Sequence, residues 1–542
     1  MRPKTMRHAL IKTRTLLAAV IAVAVHAVTA HAAAPGITGP TFNLTAQPAY
    51  LTEPDGQSVY SWGYGCSAQP AGWAPAAIAP PTGGCPNMQV PGPTLIVKEG
   101  DTVTVKLTNN LPASAGNTSI LFPGFTMQPF TDGTAGLLTQ EAAPGQTVTY
   151  TFVASGPGTR AYYSGTQSDL QVEMGMYGAI IVLPSNVPAA CTAGLPLTNP
   201  GANAIAKGVT SQAHIGVQEG DFRLAAAAYD NAKTCYDREY LFQFSEMDPN
   251  IHTQAESQVA ACNAPGAPVP CTLQVPTEPY HPAYFMINGR SMPDDMDPNY
   301  SVQYPHQPYN GNPHMHPGEL VLLRIIGQGR WQHPFHEHAN HVRILARDGN
   351  LILTPDGNAL AGPALFTTTT TPGLAMDGIF YYTGRGLNWD MYGHNPKSGN
   401  KTAFNVDPAC VADVNGYYTA DPTAVNYFEW CQDHEKPVQA YPTGDITGGG
   451  PVTLPDPNIL TNGAWYGGSP YLGPSATSRA VGITGTTPPA GTIANSPSGE
   501  AGFAFMWHSH NEREITTNNA FPGGMMMMML VDSREFVIDE TN

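Results

Sequence analysis

The chain has 542 residues, a formal charge of −17, 12% charged residues, 56 Gly and 52 Pro. That length holds two to four domains with real cores, and the Gly and Pro content suits many short strands and turns rather than long helices. The acidic balance excludes nucleic acid and anionic membrane surfaces as natural partners.

Residues 1–32 read as an export signal. Arg2, Lys4, Arg7, Lys12 and Arg14 precede the apolar run Leu16 to Ala30, and Ala30-His31-Ala32 offers small residues for cleavage. Loss of these five basic side chains, with no acidic one, would take the charge from −17 to about −22. No later segment is apolar enough to span a bilayer. The expected location is therefore periplasmic or extracellular, where the even set of eight cysteines points to disulfides. Pairing in sequence order (Cys66, Cys85, Cys191, Cys235, Cys262, Cys271, Cys410, Cys431) closes four modest loops and is the connectivity favoured, although spacing alone leaves it open.

Residues 91–109 alternate apolar and polar side chains around Gly100-Asp101, which predicts a hairpin. Similar alternation at 145–152 and 175–182 predicts a first β-sandwich over residues 33–185. An Ala-, Gly- and Asn-rich connector over 186–235 leads to further strand signals at 239–244, 284–290, 319–326, 341–346, 367–371 and 378–382. Residues 385–498 lack periodicity and read as a long disulfide-stapled insertion; a third small domain there is the alternative. Strands at 501–510 and 525–531 would complete a second sandwich within 236–542. The predicted fold class is all-β, with tandem Greek-key sandwiches.

Two motifs carry the chemistry. His333-Pro334-Phe335-His336-Glu337-His338 and Met506-Trp507-His508-Ser509-His510 are His-x-His pairs on predicted strands. Side chains alternate along a strand, so His336 and His338 share one face, as do His508 and His510. If the strands are neighbours, four imidazoles converge, enough for a transition-metal ion. His333 and Ser509 then face the other way. The run Met525 to Met529 is a Cu(I) thioether candidate, but alternation lets at most three sulfurs meet one ion; core packing is favoured, with Met525 the one to follow. His314-Met315-His316 beside Pro313 and Pro317-Gly318 reads as an exposed loop, and Glu512-Arg513-Glu514 as a solvated turn.

These motifs resemble those of the multicopper oxidases, a family built from cupredoxin domains. Pro91-Gly92-Pro93-Thr94 with Gly100-Asp101 resembles its first-domain opening, Ile287-Asn288-Gly289-Arg290 a later-domain marker, and the two histidine motifs its third and fourth copper motifs. The resemblance implies a type 2 role for His336, type 3 roles for His338, His508 and His510, and a type 1 role for His333. Departures are as clear. Leu121-Phe122-Pro123 and Tyr163-Ser164-Gly165 stand where the first two His-x-His motifs belong, Ser509 replaces the type 1 cysteine, Glu514 replaces a further histidine, and the axial methionine (Met525) comes late.

The expectation is an exported copper-binding protein holding fewer than four ions. Its metal would sit in one mononuclear site of His336, His338, His508 and His510, with His333, and more weakly Glu514 and Met525, as further candidate ligands. Laccase-type turnover is not expected. The alternatives are a reduced oxidoreductase acting on phenols or metal ions, and a metal-free envelope scaffold. The family resemblance also implies a homotrimer.

Overall fold

A computed structural model describes residues 34–76, 78, 80, 83–192, 221–315, 319–382, 468–472, 501–532 and 538. The export signal, most of the 385–498 insertion and the Cys410 and Cys431 pair lie outside the described residues.

Four principal sheets form two sandwiches. In the first, one sheet runs in the order Gly158–Tyr163, Tyr177–Leu183, Leu95–Lys98, Gly36–Thr38, Trp73–Ala74, and the other Ser58–Cys66, Thr41–Thr52, Thr102–Asn109, Thr147–Val153. Alternation explains the packing: Val103, Val105 and Leu107 bury inward beside Val148, Tyr150 and Phe152, with polar residues between them. The predicted hairpin at Gly100-Asp101 is not one. Leu95–Lys98 and Thr102–Asn109 belong to different sheets, so the turn carries the chain across the sandwich. Local alternation cannot tell these cases apart, because both strands send Val97 and Val103 into one core.

The second sandwich pairs a sheet ordered Tyr284–Ile287, Arg238–Met247, Leu320–Gly327, Ala375–Tyr381, Val342–Arg347, Asn350–Leu351 with one ordered His314–Met315, Met526–Asp532, Ala501–Ser509, His333–Glu337, Thr367–Thr370. Gly468–Leu472, from within the predicted insertion, adds to Ala501–Ser509. His314 and Met315 are buried on an edge strand rather than exposed in a loop, because they pair with Leu530 and Val531. The described end of the connector is also folded: Ala228, Tyr229 and Tyr236 join the core of the second sandwich, and Cys191 bonds Cys235. Cys66–Cys85 and Cys262–Cys271 likewise follow sequence order, and no described cysteine is free.

A helix over Pro249–Cys262 had no counterpart in the strand reading. Asp248 caps it by accepting from the Asn250 amide at 2.9 Å, and Pro249 fills the first turn, where no amide hydrogen is needed. Ile251, Ala255 and Val259, spaced by four, bury in the core of the first sandwich. No helix among the described residues is long and apolar enough to cross a membrane.

The sandwiches meet across small and buried polar side chains. Ala161, Ala179 and Ile181 pack against Leu241, Ile326 and Ala375. Arg324 donates to Glu239 at 2.8 Å and to Thr159 of the first sandwich at 3.1 Å, and Thr159 donates to Asp377 at 2.6 Å. The Ile287-Asn288-Gly289-Arg290 marker has a structural task here. Asn288 ties the Leu241 and Asn310 carbonyls to the Gln243 amide, and Arg290 donates to four loop carbonyls. Gly289 has φ +82°, and a Cβ there would sit 2.2 Å from the Val90 carbonyl oxygen of the first sandwich. Gly289→Ala should therefore cost more than about 1 kcal/mol, from left-handed strain and the forced separation at Val90. A thermal midpoint unchanged from the parent would refute that account of the marker.

Candidate metal centre

His333–Glu337 and Ala501–Ser509 are antiparallel neighbours, with Phe335 opposite Ser509, His336 opposite His508, and Glu337 opposite Trp507. The register is held from the core side. Trp507 is fully buried against Phe335 and Phe380, and its indole N–H donates to the His338 carbonyl at 3.0 Å. A slip of one residue would turn Trp507 outward and the imidazoles inward.

On the other face the four imidazoles of His336, His338, His508 and His510 gather. Ring centres lie 4.9 Å apart for His336 and His338, 4.8 Å for His336 and His510, 5.1 Å for His338 and His508, and 5.6 Å for His508 with both His336 and His510. His336 and His508 are buried, while the His510 side chain is 54% exposed, so the cluster opens to solvent on one side. His508 Nδ1 lies 2.7 Å from the Ser509 carbonyl, which can only accept; the proton is therefore on Nδ1 and the lone pair on Nε2. That Nε2 accepts from His338 Nε2 at 3.1 Å. His336 Nδ1 is anchored to the Thr367 hydroxyl at 2.6 Å. Anchoring one ring nitrogen by a hydrogen bond is how metal-ligating histidines are oriented. Burial, reinforced by the other three imidazoles, pushes His336 down to about 3, and burial also lowers His508. These rings are neutral at pH 7, the form that ligates.

The rings meet mostly edge to face. Among the described residues no three His, Cys, Asp or Glu side chains already aim donors at one ion position. The fit to a metal rests on the donor set: the two Nε2 atoms at 3.1 Å stand close to the roughly 3.3 Å expected of neighbouring nitrogens bound at about 2.0–2.1 Å in a tetrahedral site. Capture of an ion would exchange their hydrogen bond for two coordinate bonds.

The opposite face of the same strands holds a different cluster. His333 is fully buried between two carboxylates, with Nδ1 2.9 Å from Glu514 and Nε2 2.9 Å from Glu246. Ser509 donates to Glu514 at 2.5 Å, and Asn511 donates to its other oxygen at 2.9 Å. Glu246 also accepts from the amides of Arg330 and Trp331 and from Tyr280. Burial alone would lower His333, but the hydrogen bonds and charges of Glu246 and Glu514 outweigh it and raise the ring to about 9. As an imidazolium it has no lone pair to give. Glu514 is thus buried in an ion pair and not in a solvated turn. Met525 is fully buried in the core of the second sandwich, and its backbone bonds to Ser509 and Glu514.

Sequence reasoning missed Glu246. Its one signal was a carboxylate on a strand of otherwise core character, Leu241-Phe242-Gln243-Phe244-Ser245-Glu246. In the first sandwich, Leu121 packs on Gly165, and Thr118, Ser164 and Gln171 hydrogen-bond beneath them. No imidazole is available there.

Two outcomes follow for the His333 cluster. His333→Ala should cost about 3–5 kcal/mol in denaturant unfolding, because it leaves two buried carboxylates unpaired. The raised His333 pKa contributes stability that is full below the unfolded value of 6.5 and is lost as pH rises through about 9. Unfolding free energy should fall across that window in the parent, and the fall should flatten in His333→Gln; equal slopes would mean that His333 is not held charged.

Part of the chain is similar to known proteins. The multicopper oxidase family model matches residues 74–187, a stretch with no histidine. Multicopper oxidase MCE of Talaromyces pinophilus is 39% identical over 105 residues, 19% of this chain and 17% of that protein. Laccase abr2 of Aspergillus fumigatus is 37% identical over 100 residues, 18% and 16% respectively. Copper resistance protein A of Escherichia coli is 42% identical over 96 residues, 18% and 15%. The chain thus spans about a sixth of the length of these curated relatives. Among solved structures, the multicopper oxidase mgLAC aligns with 92% of this chain and 88% of its own at 15% identity and TM-score 0.43. The blue copper oxidase of Nitrosomonas europaea aligns with 90% and 85% at 16% identity and TM-score 0.41. Residues 74–187 are thus similar to a multicopper oxidase domain, within a chain of two β-sandwiches whose first sandwich contains no histidine.

Proposed function

We propose that this chain is an exported copper-binding protein whose metal is held by His336, His338, His508 and His510 as one mononuclear site. The observation that carries the reading is the pairing of His336 opposite His508, which brings four imidazoles onto one open face. Imidazole donors suit copper and zinc, and the Irving–Williams order puts Cu(II) first. Bound there, copper would supply a Lewis-acidic or one-electron centre. The protein's part is to keep His336 and His508 neutral by burial and to fix them through Thr367 and the Ser509 carbonyl. His333 stands outside this ligand set because both its nitrogens are occupied by carboxylates. Export rests on the basic and apolar leader over 1–32.

Four-electron oxygen chemistry does not fit this donor set. The first sandwich offers Leu121 and Gly165 in place of imidazoles, and Ser509 donates to Glu514 where a thiolate would be needed for a tuned electron entry port.

Cu(II) titration of the full chain tests the proposal. One equivalent should bind, His508→Ala should weaken it at least about tenfold, and folded His333→Gln should keep it. Equal loss in both variants, or loss in neither, would overturn the two-faced assignment. The copper-loaded protein should also lack an intense visible copper–thiolate band, since every described cysteine is in a disulfide. A blue protein would refute this, and oxygen uptake with phenols, Fe(II) or Mn(II) would favour an oxidase instead.

A further inference from the structure

The methionine run continues the imidazole face. Met526–Asp532 is antiparallel to Ala501–Ser509, with Met526 opposite His508, Met527 opposite Trp507, and Met528 opposite Met506. Directly opposed residues share a face, with Cβ atoms about 4.5–5.5 Å apart. Trp507 marks the core face, and Met525, Met527 and Met529 are fully buried there with it. Met526 and Met528 must then lie with His508 and Met506 on the other face. Two rows cross the sheet. One runs His336, His508, Met526. The other brings Met506 and Met528 level with His338, the residue after the Glu337 and Trp507 pair. Met506 and Met528 are half-buried, and Met526, opposite His508, is buried.

We propose that Met506, Met526 and Met528 form a Cu(I) site next to His508, distinct from the four-imidazole centre. Three thioethers are a soft donor set that selects Cu(I) over Cu(II) and zinc. They carry no proton to lose and no charge, so they add no electrostatic repulsion beside the imidazoles. A hydrophobic face needs no such choice of residue: Leu would fill these positions with similar volume and better-defined rotamers. The face would thereby accept oxidised copper among the imidazoles and reduced copper among the thioethers beside them. The site takes no imidazole as a ligand and so does not depend on the copper reading of the four histidines.

The test is anaerobic titration of the full chain with Cu(I), in competition with a chromophoric Cu(I) chelator, while methionine methyl resonances are followed by NMR. The methyls of Met506, Met526 and Met528 should shift, and those of Met525, Met527 and Met529 should not. The triple variant Met506→Leu, Met526→Leu, Met528→Leu should bind Cu(I) at least about tenfold more weakly while its Cu(II) titration stays as in the parent. Unchanged Cu(I) affinity in that variant, or shifts confined to the core-facing methyls, would overturn the proposal, and the methyl readout on the parent stands even if the variant misfolds. If Cu(II) fails to bind while the three methyls still shift with Cu(I), the imidazole reading fails and the thioether site stands.

Discussion

The antiparallel pairing of His333–Glu337 with Ala501–Ser509, locked from beneath by Trp507 and Phe335, is the constraint on which the rest depends. A strand has a period of two, so one register decides both faces at once. With Trp507 in the core, His336 and His508 must meet on the open face, and His333 and Ser509 must meet on the other. The same period extends across the next strand and divides five consecutive methionines into a core-facing set and a set level with the histidines. A single core tryptophan therefore organises chemistry on three strands.

The His333 cluster shows how a sandwich can hold a buried histidine without a metal or thiolate partner. Without a thiolate at 509, a buried histidine needs another partner, since a neutral polar ring or an unpaired charge is costly in a core. Glu246 and Glu514 take that place, and their two negative charges hold the ring as a cation. Serine fits where cysteine would otherwise bind metal, because its hydroxyl donates to Glu514. Such a triad is a weak source of net stability but is expensive to break, which favours its retention once formed.

The first sandwich offers packing and polar contacts and no imidazole. Leu121 over Gly165 and the polar network of Thr118, Ser164 and Gln171 are fully engaged with one another. Its remaining task is contact: Thr159 reaches Asp377, Tyr177 reaches Ser245, and the Val90 carbonyl rests on Gly289. These contacts brace the second sandwich from the side away from the imidazoles.

Much of this was legible in the chain itself. Alternation is a local rule, so the paired faces of the two His-x-His motifs could be read from spacing, and so could the absence of a thiolate at Ser509 and of imidazoles at Leu121 and Gly165. The observed disulfides follow sequence order, because short loops close at least entropic cost. What local pattern cannot carry is partner choice. Gly100-Asp101 looked like a hairpin and instead crosses between sheets, since alternation is the same in both cases. Glu246, 87 residues before His333, became its partner only when a strand of the facing sheet came alongside. Which of the methionines stand level with His508 depended on register against a strand nearly twenty residues away. Sequence determines which face each side chain takes on its own strand; only tertiary structure decides what that face meets, because the meeting is set by burial and pairing summed over the whole sandwich.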